Sequence, residues 1–353
     1  MGASPVPVSE TGRLARTFET AGWDGLAVGE AHGILPDPYA ALAAAAACTS
    51  RLRLGTAVAV PLRSPFLAAS AMATIHAMSG GRTRFCLARG DGAMKVLGRE
   101  PVSVPVFVSY LEQLQALLRG EEVEVDGVAA SLARMPVIDD SYQLGKVPVD
   151  VAATGPRMIA SAVRLADGVS FAVGADVGRL RRCVELARSA RIEAGFDVNT
   201  LELGCYVQMA VVGEDPESAR KAIRGLVMTH ARFSGYTGQA MLPDVAESDH
   251  GQIRQAVAAM DTTLRHGHRT IARATDNNSN EVNFYPDVVD DTFLDRFGII
   301  GTPEHCADRL RKIIDLGITR IYVGTRGMGV DPLEINTAQI GMEVLPLVRQ
   351  SLN

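Results

Sequence analysis

Three side chains that could move protons follow predicted β-strands in this sequence. Glu30 and His32 come directly after the strand Gly25–Val28, and Asp91 follows the strand Arg84–Ala88. A carboxyl group can donate a proton when burial raises its pKa, and an imidazole titrates near neutral pH. The same residues also fit ordinary loops, since Gly-Asp-Gly is a common turn sequence and a lone loop histidine is most often a bystander. The residues alone therefore leave proton transfer and a structural role both open.

A second group of residues forms a turn suited to binding a phosphate. The strand Val149–Ala153 continues through Thr154 and Gly155 into a helix that begins at Pro156, where the first backbone N–H groups have no helical partner. Glycine lets a ligand approach the backbone closely, and proline fits the first helical turn. An ordinary turn between a strand and a helix explains the pattern equally well. Phosphate binding is favoured by a second such turn after the next strand, formed by Ala172, Val173 and Gly174.

The elements that must position these residues alternate along the chain. Short apolar strands and helical segments follow one another from Thr11 to about Gly174, which is typical of a parallel sheet covered by helices. We predict an α/β fold, a (β/α)8 TIM barrel, whose active face is formed by the carboxyl ends of the strands. The predicted strands are Gly25–Val28, Arg53–Val60, Arg84–Ala88, Val149–Ala153, Val169–Val173, Leu203–Val212 and Arg320–Val323.

These seven strands leave one position of an eight-stranded barrel unfilled. The first strand must precede the helix at Thr11, so it falls in Ser4–Val8 and is unusually short. We therefore expect a short or incomplete first strand. The predicted helices are Thr11–Ala21, Pro38–Thr49, Pro65–Met78, Val104–Leu118, Pro156–Ala166, Gly178–Ala194, Pro216–His230 and Pro303–Leu316.

Residues 231–297 interrupt the alternation of strands and helices. They contain a predicted helix at Gln252–Leu264 and the polar stretch Thr275–Asn283. A loop region of this length in a compact domain is usually functional or disordered. We predict an insertion between the seventh and the last strand, within a single domain that spans residues 1–353. His266 and His268 lie in this region without a nearby acidic or thiol partner, so we expect no metal site.

The composition argues against nucleic-acid-binding, membrane-bound and disulfide-rich proteins. A formal net charge of −5 gives no general attraction to nucleic acids or anionic membranes, and no apolar segment is long enough to span a bilayer. The five cysteines are scattered and never form a CxxC pair, which is typical of reduced thiols. We therefore expect a cytoplasmic protein that acts on a small-molecule substrate.

Four motifs occur in the order, and at about the spacing, of one known family. The chain resembles the luciferase-like monooxygenase superfamily over nearly its whole length, especially the branch that uses the 5-deazaflavin coenzyme F420. Leu54–Val60 looks like the family's Leu-Gly-Thr strand, which implies a non-prolyl cis peptide at Ala57–Val58 behind the deazaflavin ring. Ala152–Pro156 and Ala172–Gly174 look like its two phosphate-binding turns. Asp91 stands where relatives carry an acidic residue near the reacting ring.

The resemblance implies hydride transfer between coenzyme F420 and a small organic substrate, in a homodimer. A monooxygenase that uses FMN remains an alternative, because both cofactors present a ring and a phosphate to the same turns. A non-catalytic flavin-binding barrel remains another, because Ala31 and the short first strand depart from the family pattern.

Two departures from the family pattern bear on the chemistry. Many relatives carry a histidine directly after the acidic residue of the second strand, where this chain has Ala31, so either His32 substitutes or that step is absent. Val60 replaces a polar residue of the sugar-phosphate-oxidising relatives, which argues against the oxidation of glucose 6-phosphate.

Overall fold

In the computed structural model, a parallel β-sheet curls around an apolar core and carries helices on its outside. The structure describes residues 7–32, 35–125, 127–132, 144–212, 217, 219–220, 223–224, 227, 290–325 and 330–350. The strands are β1 (Gly25–Val28), β2 (Arg53–Thr56), β3 (Thr83–Leu87), β4 (Val123–Val125), β5 (Val128–Ala130), β6 (Val149–Ala153), β7 (Gly168–Phe171), β8 (Glu202–Val211), β9 (Ile299–Gly301) and β10 (Arg320–Thr325).

Several helices begin at a polar cap followed by proline, which explains why their starts can be predicted. Asp37, Ser64 and Thr302 each accept a hydrogen bond from a backbone N–H of the first helical turn, and the next residue in each case is proline. The helices are α1 (Val8–Thr20), α2 (Pro38–Cys48), α3 (Pro65–Met78), α4 (Asp91–Val96), α5 (Val104–Leu118), α6 (Pro156–Leu165), α7 (Val177–Glu193), α8 (Asp291–Phe297), α9 (Pro303–Ile314), α10 (Val330–Gln339) and α11 (Leu345–Gln350), with a 3₁₀ turn at Val198–Thr200 and a π-helical segment at Ile340–Val344.

The strand order in the main sheet is β1-β2-β3-β6-β7-β8-β10, and all of these pairs are parallel. The short strand β9 also joins β8. Met209 of β8 pairs with Ile299 on β9 and with Thr325 on β10, so these two strands lie on opposite edges of β8. The predicted α/β barrel and its parallel strands are confirmed. Sequence patterning missed β9 and the antiparallel hairpin β4–β5, because each of these strands has only three residues.

A buried polar network shows how strongly the sheet curls. Asp150 on β6 and Arg320 on β10 are separated by two strands, so a flat sheet would hold them about 14 Å apart. Instead, Arg320 Nη2 lies 3.3 Å from Asp150 Oδ1, and the Asp150 side chain has no exposed surface. Ser170 Oγ donates to Asp150 Oδ2 over 2.5 Å, and Glu202 bridges Arg320 to Arg84. The contacts of Asp150 cross the interior of the barrel near the amino ends of its strands, and Glu202, whose side chain is half exposed, continues the network toward solvent.

The two ends of the main sheet, β1 and β10, face each other across a cavity. Neither strand pairs with a further strand among the described residues. The cavity has a volume of about 520 Å³ and is lined by residues of both strands, including Leu26 and Ile321. Outside it the helical layer is continuous, since α1 packs against α2 and α10. The barrel is therefore open at this one strand position within the described part of the chain.

The first strand predicted at Ser4–Val8 is wrong at its carboxyl end. Val8 is the first residue of α1 and Pro7 is its N-cap, because proline lacks an N–H to donate to a sheet and suits the start of a helix. Residues 4–6 lie outside the described residues.

The predicted insertion at residues 231–297 lies mostly outside the described residues, as do the helix at Gln252–Leu264, His266 and His268. Its last part is described. Residues 291–297 form α8, which buries Phe293 and Phe297 and leads directly into β9.

Four of the five cysteines are buried, Cys48 is half-buried, and none forms a disulfide bond. No helix among the described residues is long and apolar enough to cross a membrane.

Replacing Asp150 by alanine should destabilise the barrel, because it leaves the largely buried Arg320 guanidinium with Glu202 as its one charged partner among the described residues. We expect the free energy of unfolding to fall by about 3 kcal/mol. Urea titration followed by circular dichroism measures it. The matched control is Asp308→Ala, which removes an exposed helical ion pair with Arg311 and should change stability by no more than about 0.5 kcal/mol. Equal denaturation midpoints for the two variants would contradict this role of Asp150.

Candidate active site

The carboxyl ends of β1, β2 and β3 are tied together by backbone hydrogen bonds. Glu30 N donates to Val58 O over 3.1 Å, and Ala88 N donates to Ala59 O over 3.0 Å. The segment after β2 thus lies between the segments after β1 and β3. This arrangement brings the stretches that carry Glu30, His32 and Asp91 to one rim of the barrel, as the parallel sheet requires.

Glu30 is the most enclosed charged group of this rim. Its side chain has no exposed surface, while the side chain of His32 is 35% exposed. One carboxylate oxygen accepts a hydrogen bond from Val60 N over 2.8 Å, and the other lies 2.8 Å from His32 Nε2. Glu30 therefore makes two kinds of contact. It binds the backbone after β2 from inside, and it contacts an imidazole that reaches solvent.

The peptide bond between Ala57 and Val58 is cis, as the family resemblance implied. It follows directly after Thr56, the last residue of β2, and the strand ends four residues before the predicted boundary at Val60. Both residues are half-buried at the rim. Contact of this bond with a cofactor ring stays a prediction.

Two tyrosines near Glu30 were not singled out from the sequence. Burial raises the pKa of Tyr39 and of Tyr110, and the negative charge of Glu30 raises both further. The Arg63 guanidinium stacks over the ring of Tyr39 at 4.3 Å and contacts Asp37. These phenols therefore remain protonated at neutral pH and can act only as neutral hydrogen-bonding groups. Tyr39 in α2 and Tyr110 in α5 have the spacing of core residues, so the sequence does not single them out. Their proximity to Glu30 in the structure does.

Asp91 is half-buried and is the first residue of the short helix α4. Gly90, directly before it, has a φ of +93°, and a Cβ at this position would come within 2.8 Å of Met94 and 3.3 Å of Val60. Glycine is therefore required here by both backbone conformation and space. Because Val60 is also the residue held by Glu30, the structure brings the segment of Asp91 next to that of Glu30.

The predicted phosphate turn lies at the carboxyl end of β6, at the start of α6. Gly155 is the N-cap of α6, with extended backbone angles that any residue adopts, so no left-handed conformation requires glycine here. The N–H groups of Thr154, Gly155 and Arg157 have no hydrogen-bond partner within the part of the chain that the structure describes. Arg157 itself is exposed. The turn thus presents unpaired backbone donors, as predicted from the sequence.

The second turn, Ala172–Gly174, is joined to the first. Ala172 N donates to Ala153 O over 3.1 Å, so the two turns share one hydrogen-bonded edge. Gly174 has a φ of +78°, and a Cβ there would meet the Phe297 carbonyl at 2.9 Å. Val173 and Gly174 are both buried. The structure therefore brings together the seven residues predicted to bind a phosphate, Ala153, Thr154, Gly155, Pro156, Ala172, Val173 and Gly174.

Three arginine side chains contact the second turn and the two residues that follow it. Arg179 Nη1 donates to Val173 O over 3.1 Å, Arg309 Nη2 donates to Ala175 O over 3.2 Å, and Arg296 pairs with Asp176. None of these arginines was identified from the sequence, because the spacing of charged residues along a helix does not reveal which of them is buried. No cluster of three or more potential metal-ligating side chains occurs in the described ranges.

A curled parallel sheet with unpaired backbone donors and polar groups at its carboxyl rim defines a TIM-barrel protein of the kind that binds ligands at that rim. The sequence matches the profile of the luciferase-like monooxygenase family over residues 1–320. This chain belongs to that family.

Several enzymes are similar to this chain in sequence, and one of them is named as F420-dependent. The chain is 24% identical over 324 residues to the 5,10-methylenetetrahydromethanopterin reductase of Methanolobus tindarius, covering 90% of this chain and 91% of the relative. It is 33% identical over 221 residues to the F420-dependent glucose-6-phosphate dehydrogenase of Beutenbergia cavernae, covering 57% and 63%.

Among solved structures, the coenzyme F420-dependent tetrahydromethanopterin reductase from Methanopyrus kandleri has the same fold. Its TM-score is 0.74 at 20% identity, with 98% of each chain covered. A monooxygenase from Streptomyces bottropensis has a TM-score of 0.63 at 21% identity, covering 96% of this chain and 93% of that one.

Replacing Glu30 by alanine should destabilise the rim, because the buried N–H of Val60 then loses its acceptor. We expect the free energy of unfolding to fall by about 2 kcal/mol. Glu30→Gln retains a carbonyl oxygen for Val60 and should lose less. Urea denaturation of the variants, with His32→Ala as the control that leaves the Val60 contact intact, measures the difference. If His32→Ala costs as much as Glu30→Ala, the Val60 hydrogen bond is not what stabilises this rim.

Proposed function

We propose that this protein transfers a hydride between a 5-deazaflavin coenzyme of the F420 type and a small organic substrate. The observation that carries this proposal is the joined pair of turns at Ala153–Pro156 and Ala172–Gly174, whose unpaired N–H groups lie on the same rim as Glu30 and His32. Membership in the luciferase-like family and similarity to relatives named as F420-dependent support it.

The residues of the rim fit the parts of such a coenzyme. The N–H groups of Thr154, Gly155 and Gly174 would hold its phosphate, since unpaired amides at the start of a helix attract anions. The segment Ala57–Val58 would lie against the ring. When bound, the deazaflavin supplies the hydride or takes it up. The protein contributes orientation of the ring and exclusion of water.

A hydride that enters or leaves a substrate is accompanied by a proton, and three residues are candidates to handle it. His32 reaches solvent and contacts the buried Glu30, so it can exchange protons with water while the carboxylate orients the imidazole. Asp91 approaches the same rim from β3. We assign proton transfer to His32 with Glu30 behind it, and orientation of the substrate to Asp91. This assignment lets His32 perform the step that Ala31 cannot.

The substrate is a small organic molecule other than a sugar phosphate. Val60 presents an isopropyl side chain where the sugar-phosphate-oxidising relatives carry a polar group, and its backbone N–H is already bound to Glu30. The similarity to the dehydrogenase of Beutenbergia cavernae therefore supports the cofactor and not the substrate.

Titration of the protein with coenzyme F420, followed by fluorescence, tests the proposal. We expect saturable binding, and a loss of about 100-fold in affinity for Gly155→Trp, because the indole fills the space in front of the unpaired amides. The matched control is Arg164→Trp, an exposed position on the same helix, which should bind as the unmodified protein does. Thermal melting confirms that both variants fold.

Two outcomes would overturn this order of functions. Tighter binding of FMN than of coenzyme F420, together with oxygen consumption, would make the protein a flavin monooxygenase. Equal affinity of Gly155→Trp and Arg164→Trp would show that the turn does not hold the cofactor.

A further inference from the structure

Arg179 is a buried cation directly behind the second turn. It lies in the first turn of α7, is only 4% exposed, and donates from Nη1 to the carbonyl of Val173. Its guanidinium also stacks over the ring of Phe297 at 5.2 Å. The two remaining nitrogen atoms, Nε and Nη2, are buried without a hydrogen-bond partner among the described residues. A buried guanidinium with unfilled donors is costly, so its presence calls for a compensating charge.

No carboxylate among the described residues forms an ion pair with Arg179. Asp176 is the acidic residue whose charge acts on it, but both oxygens of Asp176 have other partners. One accepts the backbone N–H of Arg179 over 2.8 Å, and the other pairs with Arg296. Burial lowers the pKa of Arg179 to about 10, which still leaves the group charged at neutral pH. The positive charge behind Val173 is therefore only partly balanced.

We propose that Arg179 is the residue that makes this site select a phosphorylated ligand. By donating to the Val173 carbonyl it orients the turn Ala172–Gly174, and its charge adds to the field of the unpaired amides of the two turns. An anionic phosphate gains from this charge, whereas the neutral hydroxyl of a dephosphorylated ligand does not. Arg179 is thus a positioning residue that acts through the turn. The inference rests on the proposed function, since it concerns the same cofactor site.

Two variants separate the charge of Arg179 from its hydrogen bond. Arg179→Gln can still donate to the Val173 carbonyl but carries no charge. Arg179→Lys keeps the charge on a side chain of similar length. Arg164→Gln, which removes an exposed charge from the neighbouring helix α6, serves as the control for a general loss of positive charge.

The experiment measures the affinity of each protein for two pairs of ligands by fluorescence titration. The pairs are coenzyme F420 with its dephosphorylated 5-deazariboflavin core, and FMN with riboflavin. We expect Arg179→Gln to lower the affinity for the phosphorylated member of a pair by about 30-fold and to change that for the other member by less than about threefold. Arg179→Lys and Arg164→Gln should keep the preference for phosphate.

The outcomes separate the inference from the proposed function. If Arg179→Gln keeps the preference for phosphate, or weakens both members of a pair equally, Arg179 has only a structural role and the inference fails while the cofactor assignment stands. If the unmodified protein binds neither pair, the proposed function itself fails. Should Arg179→Gln not fold, loss of the phosphate preference in Arg179→Lys would overturn the inference, because that variant retains the charge.

Discussion

The ion pair between Asp150 and Arg320 is the interaction on which the rest of the barrel depends. The two residues belong to strands separated by β7 and β8, so they meet only if the sheet curls. Once they meet, β6, β7, β8 and β10 are held in one arc, and Glu202 extends the arc to Arg84 on β3. Removing the Asp150 carboxylate from water costs free energy, and its contacts with Arg320 and Ser170 offset that cost. The network therefore favours one curvature of the sheet over others.

The position of this network leaves the opposite end of the barrel free for function. Glu202 and Arg320 are the first residues of their strands, and Asp150 is the second residue of β6. The charges that stabilise the sheet thus lie at its amino end, where Arg84, Glu202 and Arg320 also line the cavity between β1 and β10. At the carboxyl end the strands are tied by backbone hydrogen bonds and by the contact of Glu30 with Val60, and the side chains of His32 and Asp91 lie at this same rim. This separation is general for parallel barrels.

The rim of this protein differs from the family pattern in a way that the geometry explains. The residue after Glu30, the acidic group that follows β1, is Ala31, which cannot transfer a proton. The imidazole of His32, one residue further on, turns back to the same carboxylate and lies 2.8 Å from it. An acid and an imidazole therefore still meet, although their spacing in the sequence has changed. Glu30 is needed for a second reason, because it also binds the backbone of Val60.

Local patterns of residues were enough to predict seven parallel strands of the main sheet in order, the helix starts at Pro38, Pro65 and Pro303, and the two turns at Thr154 and Gly174. These features depend on local chemistry: a polar cap before proline, an apolar run, or a glycine that fits a tight contact. Pattern alone also indicated Ala57–Val58, through a family resemblance that local physics could not have supplied.

Which polar side chains are buried, and what they contact, becomes known only from the tertiary structure. Arg179 looks like any charged residue of a helix, and Tyr110 looks like any core residue, until the turn after β7 and the carboxylate of Glu30 are placed beside them. The same holds for Val8, which belongs to α1 and not to a strand beside β1. Burial and pairing arise between segments distant in the chain, and their energies depend on distances that no local pattern of residues contains.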